Sequence, residues 1–341
     1  MQKSLEIDSF LQTPGILLDV RSPSEYARGH IPGAISFPIF NDMERAEIGT
    51  LYKQKGREAA VLRGLEIIGP RMAEMVIKAK ELCGDTLSIR MYCWRGGMRS
   101  GALAWLLSTA GMRVNLLHGG YKSWRRHVLA VLELPLHMLV VGGYTGSGKT
   151  RLLHTLQASG YPVLDLEALA SHKGSSFGGL GMQPQPTQEH FENLLTEALM
   201  KFPPGTVILT EDESRMIGRI SLPTAFWVQK NNSILLFLDQ PAAHRIPMLM
   251  AEYAQYPDAD LRAGIERISK KLGGERTALA LQALEAQAYA GVAEQALYYY
   301  DKAYRKGLGF TKHPEKVIRI TETDPQEIIH KIIEHWKAQN I

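Results

Sequence analysis

Residues 138–150 read Met138-Leu139-Val140-Val141-Gly142-Gly143-Tyr144-Thr145-Gly146-Ser147-Gly148-Lys149-Thr150. A short apolar run leads into glycines, and a helical pattern follows. The segment Gly143–Thr150 fits the spacing G-x-x-x-x-G-K-[ST] with a strand before it and a helix after it, the context that spacing requires. Glycines let backbone N–H groups curl around phosphate oxygens, and the helix N-terminus adds a partial positive charge. Gly143, Gly146, Ser147, Gly148, Lys149 and Thr150 are the expected phosphate-binding residues. Lys149 is the mobile cation, and the Thr150 hydroxyl is a ligand for Mg²⁺. An acid for that metal should close a neighbouring strand. Asp212 is the first choice and Glu211 the second, while Asp165 closes another strand and could bind metal or ligand instead.

Around this loop, strands are expected at Met138–Val141, Val163–Asp165, Thr206–Leu209, Ile234–Asp239 and Val317–Ile320. Residues 242–305 read as mostly helical, and residues 172–188 as a long loop rich in Gly, Ser, Gln and Pro. A loop of that length in a compact domain is commonly a lid or a binding loop. The first part of the chain repeats the alternation. Strands are expected at Ile16–Val20, Leu87–Tyr92 and Arg113–Leu117, with helices at Arg71–Leu82, Ser100–Ala110 and Trp124–Leu132. Strands alternating with helices predict an α/β protein built on parallel sheets. Leu134-Pro135 is a natural boundary, so two domains are expected, 1–133 and 136–341, the second with a helical C-terminal part.

The strand ending at Tyr92 delivers Cys93 into Cys93-Trp94-Arg95-Gly96-Gly97-Met98-Arg99-Ser100, and a helix follows at once. A thiol between a strand end and a helix N-terminus, flanked by two arginines, is expected to be held as thiolate above an anion cradle. Cys93, Arg95 and Arg99 are therefore the catalytic candidates. Cys83, just before Gly84 at a helix end, reads as packing. Two cysteines make neither a disulfide framework nor a four-ligand structural metal site. A reducing, cytoplasmic setting is expected. Hydrophobic content of 45% and charged content of 22% suit a globular chain. No apolar run approaches the roughly 18 residues of a membrane span, and the start MQKSLEIDSF does not read as a signal peptide. The net charge of +4 is uneven, about +5 in residues 1–133 and about −1 beyond, which suits a polyanionic partner.

Leu17-Leu18-Asp19-Val20-Arg21-Ser22-Pro23-Ser24-Glu25-Tyr26, then Gly29-His30-Ile31-Pro32-Gly33-Ala34, resemble the rhodanese family. So does Gly119-Gly120-Tyr121 with Trp124. Asp19, Arg21, Glu25 and His30 are expected to brace loops. Sulfur-transferring rhodaneses are similar to C-x4-R, whereas this loop is C-x5-R, a length that resembles the phosphatase and arsenate-reductase branches. That resemblance implies a tetrahedral oxyanion substrate, a phosphate or a phosphate carrying a chalcogen.

A rhodanese-like module joined to a phosphate-loop domain resembles the bacterial tRNA 2-selenouridine synthases. Further support comes from residues 172–178 (His172-Lys173-Gly174-Ser175-Ser176-Phe177-Gly178), from Gln185-Pro186-Thr187-Gln188 with Phe191-Glu192, and from Glu211-Asp212-Glu213-Ser214-Arg215 with Ile217-Gly218-Arg219. The resemblance implies tRNA as substrate, with the wobble 2-thiouridine first geranylated from geranyl diphosphate and then selenated from selenophosphate. It leaves room for Mg²⁺ and for a selenophosphate-producing partner enzyme. It makes His172, Lys173, Ser175, Ser176, Arg215 and Arg219 candidate substrate residues. The aromatic-basic stretch Tyr298–Lys306 supplies candidate tRNA contacts in Tyr298, Lys302, Arg305 and Lys306, with a second candidate surface at Lys53, Lys55, Arg57 and Arg63. Nothing in the sequence locates the apolar slot a geranyl chain needs. Two other readings stay open: a kinase or other RNA-modifying enzyme using the phosphate loop, and a non-catalytic sulfur or selenium carrier.

Overall fold

The structure is a computed structural model that describes residues 2–175, 177–311 and 314–339. Cα packing divides it into two compact units, residues 1–131 with 192–194, and residues 132–191 with 195–341.

The first unit is a five-stranded parallel sheet. Its strands are β1 (Gln2–Leu5), β2 (Ile16–Asp19), β3 (Ile35–Ser36), β4 (Ser88–Tyr92) and β5 (Arg113–Leu117), in the order β1-β5-β4-β2-β3. Helices on the sheet faces bury Ile89, Met91 and Tyr92 of β4 fully. The helix Met72–Cys83 buries Met75, Ala79 and Cys83, one stripe at four-residue spacing, so Cys83 is a core residue. β1 and the long helix Asp42–Ile68 are additions to the expected elements. A capping box at Asn41 and Glu44 starts that helix, and Gly56, at φ +85°, kinks it. Lys53, Lys55 and Arg57 are exposed on it, while Arg63 is tied to Glu47 at 2.6 Å and Glu66 at 3.0 Å.

The second unit holds β6 (His137–Gly143), β7 (Val163–Leu164), β8 (Val207–Glu211), a small hairpin of β9 (Met216–Ile217) and β10 (Ile220–Ser221), then β11 (Ile234–Leu238) and β12 (Val317–Ile320). Five of these form a parallel sheet in the order β12-β11-β6-β8-β7. Leu139, Val141, Leu209, Leu236 and Leu238 fill its core with Leu153 and Ile332 from flanking helices. β6 is central, so the chain leaving its carboxyl end lies where open α/β sheets bind ligands. β8 runs two residues past the expected end because Thr210 and Glu211 still pair with Val140 and Val141. Glu211 is therefore inside a buried strand. The helices Ala242–Tyr253, Asp258–Leu272, Gly274–Glu285 and Tyr289–Thr311 pack around Leu261, Ile265, Ile268, Leu284 and Val292. No helix among the described residues is long and apolar enough to cross a membrane.

Candidate functional site

The phosphate loop hangs between β6 and the helix Lys149–Ala158. Gly146 sits at φ +80°, and a Cβ there would stand 2.8 Å from Leu249 Cγ, so both conformation and space demand glycine. Lys149 folds back across the loop, its Nζ donating to the Gly143 carbonyl at 2.9 Å. Ser147 is buried, and its Oγ has no hydrogen-bond partner among the described residues. An orphaned buried hydroxyl in a loop of this shape fits an anionic ligand. The Thr150 hydroxyl donates to Glu167 Oε2 at 3.0 Å. The loop opens on a cleft of about 1400 Å³ that also takes in Asp165, Lys173, Ser175, Asp212 and Arg215.

The three expected acids have distinct surroundings. Asp165 caps the helix Leu166–Ala170, accepting from the Ala168 N–H at 2.7 Å, and its other oxygen meets His154 Nε2 at 2.6 Å. Asp212, the first choice for a metal ligand, is neutralised by buried Lys230 at 2.9 Å. Glu211 accepts from the Leu166 N–H at 3.0 Å, and its second oxygen is buried with no hydrogen-bond partner among the described residues. Burial first, then the charge of Asp165, pushes the Glu211 carboxyl well above the usual range.

Three further acids line the cleft, Glu167, Glu213 and Glu252. Burial, then the charge of Glu167, raises Glu213 to about 7. Burial also raises Glu167, against the pull of Lys149. Among the described residues no cluster of three or more His, Cys, Asp or Glu side chains is arranged to hold a metal ion. Mg²⁺ usually takes one or two protein oxygens together with substrate phosphates, and the Thr150–Glu167 pair fits that pattern.

In the first unit Cys93 is buried at the foot of its loop, Sγ 3.2 Å from Ser100 Oγ. The loop rests on Gly120 at φ +61°. A Cβ there would lie 2.4 Å from both Cys93 O and Gly96 N. Arg95 is exposed and makes no ion pair among the described residues. Arg99 points at Glu25, donating at 2.6 Å. Burial works to raise Glu25, but the hydrogen bond and charge of Arg99 outweigh it and hold the carboxyl low. Asp19 and Arg21 form a buried pair at 2.6 Å, and Arg21 also donates to the Gly29 carbonyl at 2.6 Å and covers the Tyr121 ring at 3.7 Å. Those residues brace the loops, as expected.

The remaining candidates divide. Lys173 pairs with Glu252 at 2.7 Å, and the Ser175 hydroxyl accepts from the Phe177 N–H at 3.1 Å. His172 accepts from the Gly174 N–H at 3.1 Å, and burial lowers its imidazole. Arg215 lies over the Trp227 ring at 5.7 Å, and Arg219 clamps the Gln185 carbonyl outside the cleft. Ser176 and the Lys306 side chain lie outside the described residues. The tyrosines do not form one surface. Tyr300 and Tyr304, four residues apart, line the cleft, whereas Tyr298 is exposed beneath Arg276 at 3.6 Å. Lys302 and Arg305 are exposed, and Arg305 hydrogen-bonds the side chain of Tyr144 in the phosphate loop.

The family described as tRNA 2-selenouridine synthase AAA domain matches residues 136–339, and the rhodanese-like domain family matches residues 5–127. A tRNA 2-selenouridine synthase of Bdellovibrio bacteriovorus is 34% identical over 362 aligned positions, covering 93% of this chain and 94% of its own. One from Marinobacter nauticus is 37% identical, covering 84% of this chain and 87% of its own. One from Nitrosomonas europaea is 40% identical over 70% of this chain, and the match spans 63% of that relative's length. The matches take in both the thiol loop and the phosphate loop, and the chain belongs to the tRNA 2-selenouridine synthase family.

Proposed function

We propose that the chain converts the wobble 2-thiouridine of tRNA to 2-selenouridine in two transfers. In the first, the 2-thio sulfur attacks C1 of geranyl diphosphate. The C–S bond forms, the C–O bond breaks, diphosphate leaves with the electron pair, and the N3 proton is released. In the second, selenium from selenophosphate attacks C2. The C2–Se bond forms, the C2–S bond breaks, geranyl thiolate departs, and water takes the phosphoryl group from selenium.

The observation that carries this reading is the presence on one family chain of two strand–loop–helix turns whose side chains differ in chemistry. One has Lys149 and the unpartnered Ser147 hydroxyl, suited to a departing diphosphate. The other has Cys93 beside Ser100 at the foot of a loop carrying Arg95 and Arg99, suited to the oxyanion of selenophosphate. If Mg²⁺ accompanies the diphosphate, Thr150 and Glu167 would hold it, and it would neutralise charge on the leaving group. Selenophosphate would come from a separate selenophosphate-producing enzyme.

The test is nucleoside mass spectrometry of 2-thiouridine tRNA incubated with the protein, geranyl diphosphate and selenophosphate. S-geranyl-2-thiouridine followed by 2-selenouridine is expected. Nucleotide turnover with neither product would point to a kinase or another RNA-modifying activity. Selenium handed to a partner with no prenyl transfer would point to a carrier.

A further inference from the structure

A smaller cavity of about 60 Å³ adjoins the phosphate loop. Its walls come from the helices Ala242–Tyr253, Asp258–Leu272 and Tyr289–Thr311, closed by Phe177 from the long loop. Phe177 reaches this position because Gly264 has no side chain; a Cβ there would lie 2.1 Å from the ring. Thr145, Leu249, Tyr253 and Tyr300 line both this cavity and the phosphate-loop cleft. Leu261, Val292, Ala296 and Leu297 line the cavity alone, and all four are buried. The Tyr289 hydroxyl is taken up by Asp258 at 3.0 Å.

Protein interiors leave few voids larger than a water molecule, and apolar cavities stay dry. A dry slot opening from a phosphate site fits a ligand with an anionic head and a hydrocarbon tail. On the scale by which a cavity of about 150 Å³ holds benzene, the slot has room for about two to three carbons, the dimethyl end of a prenyl chain.

Resting on the prenyl-transfer reading above, we propose that the slot receives the dimethyl end of the terminal five-carbon unit of a prenyl diphosphate and thereby selects chain length. With the diphosphate on Lys149 and the phosphate-loop amides, the chain crosses between Tyr253 and Tyr300 and the end of its second five-carbon unit fills the slot. Ala296 and Leu297 set its depth.

The test is calorimetric binding of inorganic, dimethylallyl, geranyl and farnesyl diphosphate to the full chain. Wild type should bind geranyl diphosphate about tenfold or more tighter than the dimethylallyl compound. Ala296→Leu should remove that preference, and Leu297→Ala should raise affinity for farnesyl diphosphate several-fold. Inorganic diphosphate affinity should stay constant, which reports that each variant is folded. A wild type that does not discriminate chain length overturns the slot. So do variants that bind inorganic diphosphate normally but keep the wild-type ranking. Chain-length-dependent binding without any transfer to thiolated tRNA upholds the slot and overturns the transfer reading instead.

Discussion

Arg99 donates to Glu25 at 2.6 Å, joining the cysteine loop to a motif 74 residues upstream. The arginine that should greet an incoming oxyanion is thus already partly compensated. Glu25→Gln should free its charge and tighten phosphate binding at the cysteine loop, whereas Arg99→Ala should weaken it by about tenfold, the scale of one charge-assisted hydrogen bond. The measurement is the phosphate concentration that half-protects Cys93 from iodoacetamide. Shifts in the same direction for both variants would remove Arg99 from oxyanion binding.

Cys93→Ser should abolish selenium incorporation and leave geranylation at the wild-type rate. The thiol lies in the rhodanese-like unit beside Ser100, and none of the residues lining the phosphate-loop cleft belongs to its loop. Loss of S-geranyl-2-thiouridine from tRNA treated with this variant would show that the two transfers are not divided in this way.

Lys149→Ala should slow geranylation by about 10²–10³, because the departing diphosphate loses a preorganised cation. Selenation of tRNA supplied already geranylated should be unaffected. Wild-type geranylation by this variant would move the prenyl donor to another site.

Both loops were legible because each combines a strand buried on two faces with a spacing that leaves little choice of backbone. Glu213 was less legible, since an acid in the run Thr210–Glu213 looks the same buried or solvated. It is buried by a distant loop: a Cβ on Gly174 would lie 2.3 Å from Glu213 Oε2. The helix Asp42–Ile68 has charges on most of its faces and buries only Ala60 and Gly64, so its sequence shows no strong apolar stripe. The slot is assembled from Phe177, Leu249, Leu261 and Val292, residues far apart in the chain whose meeting no local pattern announces. Tyr298 and Tyr300 are two residues apart on a helix, so they face different ways, which the run of tyrosines alone does not show.

Glu213 should make stability depend on pH. Its folded value, about 7, lies above the ordinary 4.5. Between those values the native state binds more protons than the unfolded one, so stability falls as pH rises. The contribution is fully present below about 4.5 and lost through about 7. Glu213→Gln keeps the shape and stays neutral. Its stability relative to wild type should therefore improve between pH 5 and pH 8, read as the difference in urea midpoints. An equal gap at both values would mean that Glu213 titrates normally in the folded protein.

Binding of tRNA should fall steeply with salt, because each neutralised phosphate releases counterions. Of the basic residues on the helix Tyr289–Thr311, Arg305 is a poor probe, since it bonds the Tyr144 side chain and its loss would disturb the phosphate loop. Lys302 is exposed and does not line the cleft. Lys302→Glu should weaken tRNA binding several-fold and reduce the salt slope by about 1, with geranyl diphosphate affinity unchanged. The same reversal at Lys53 or Lys55, exposed on the helix Asp42–Ile68, tests the rival surface. If Lys302→Glu leaves affinity and slope intact while the change at Lys53 lowers both, the RNA is read by the rhodanese-like unit.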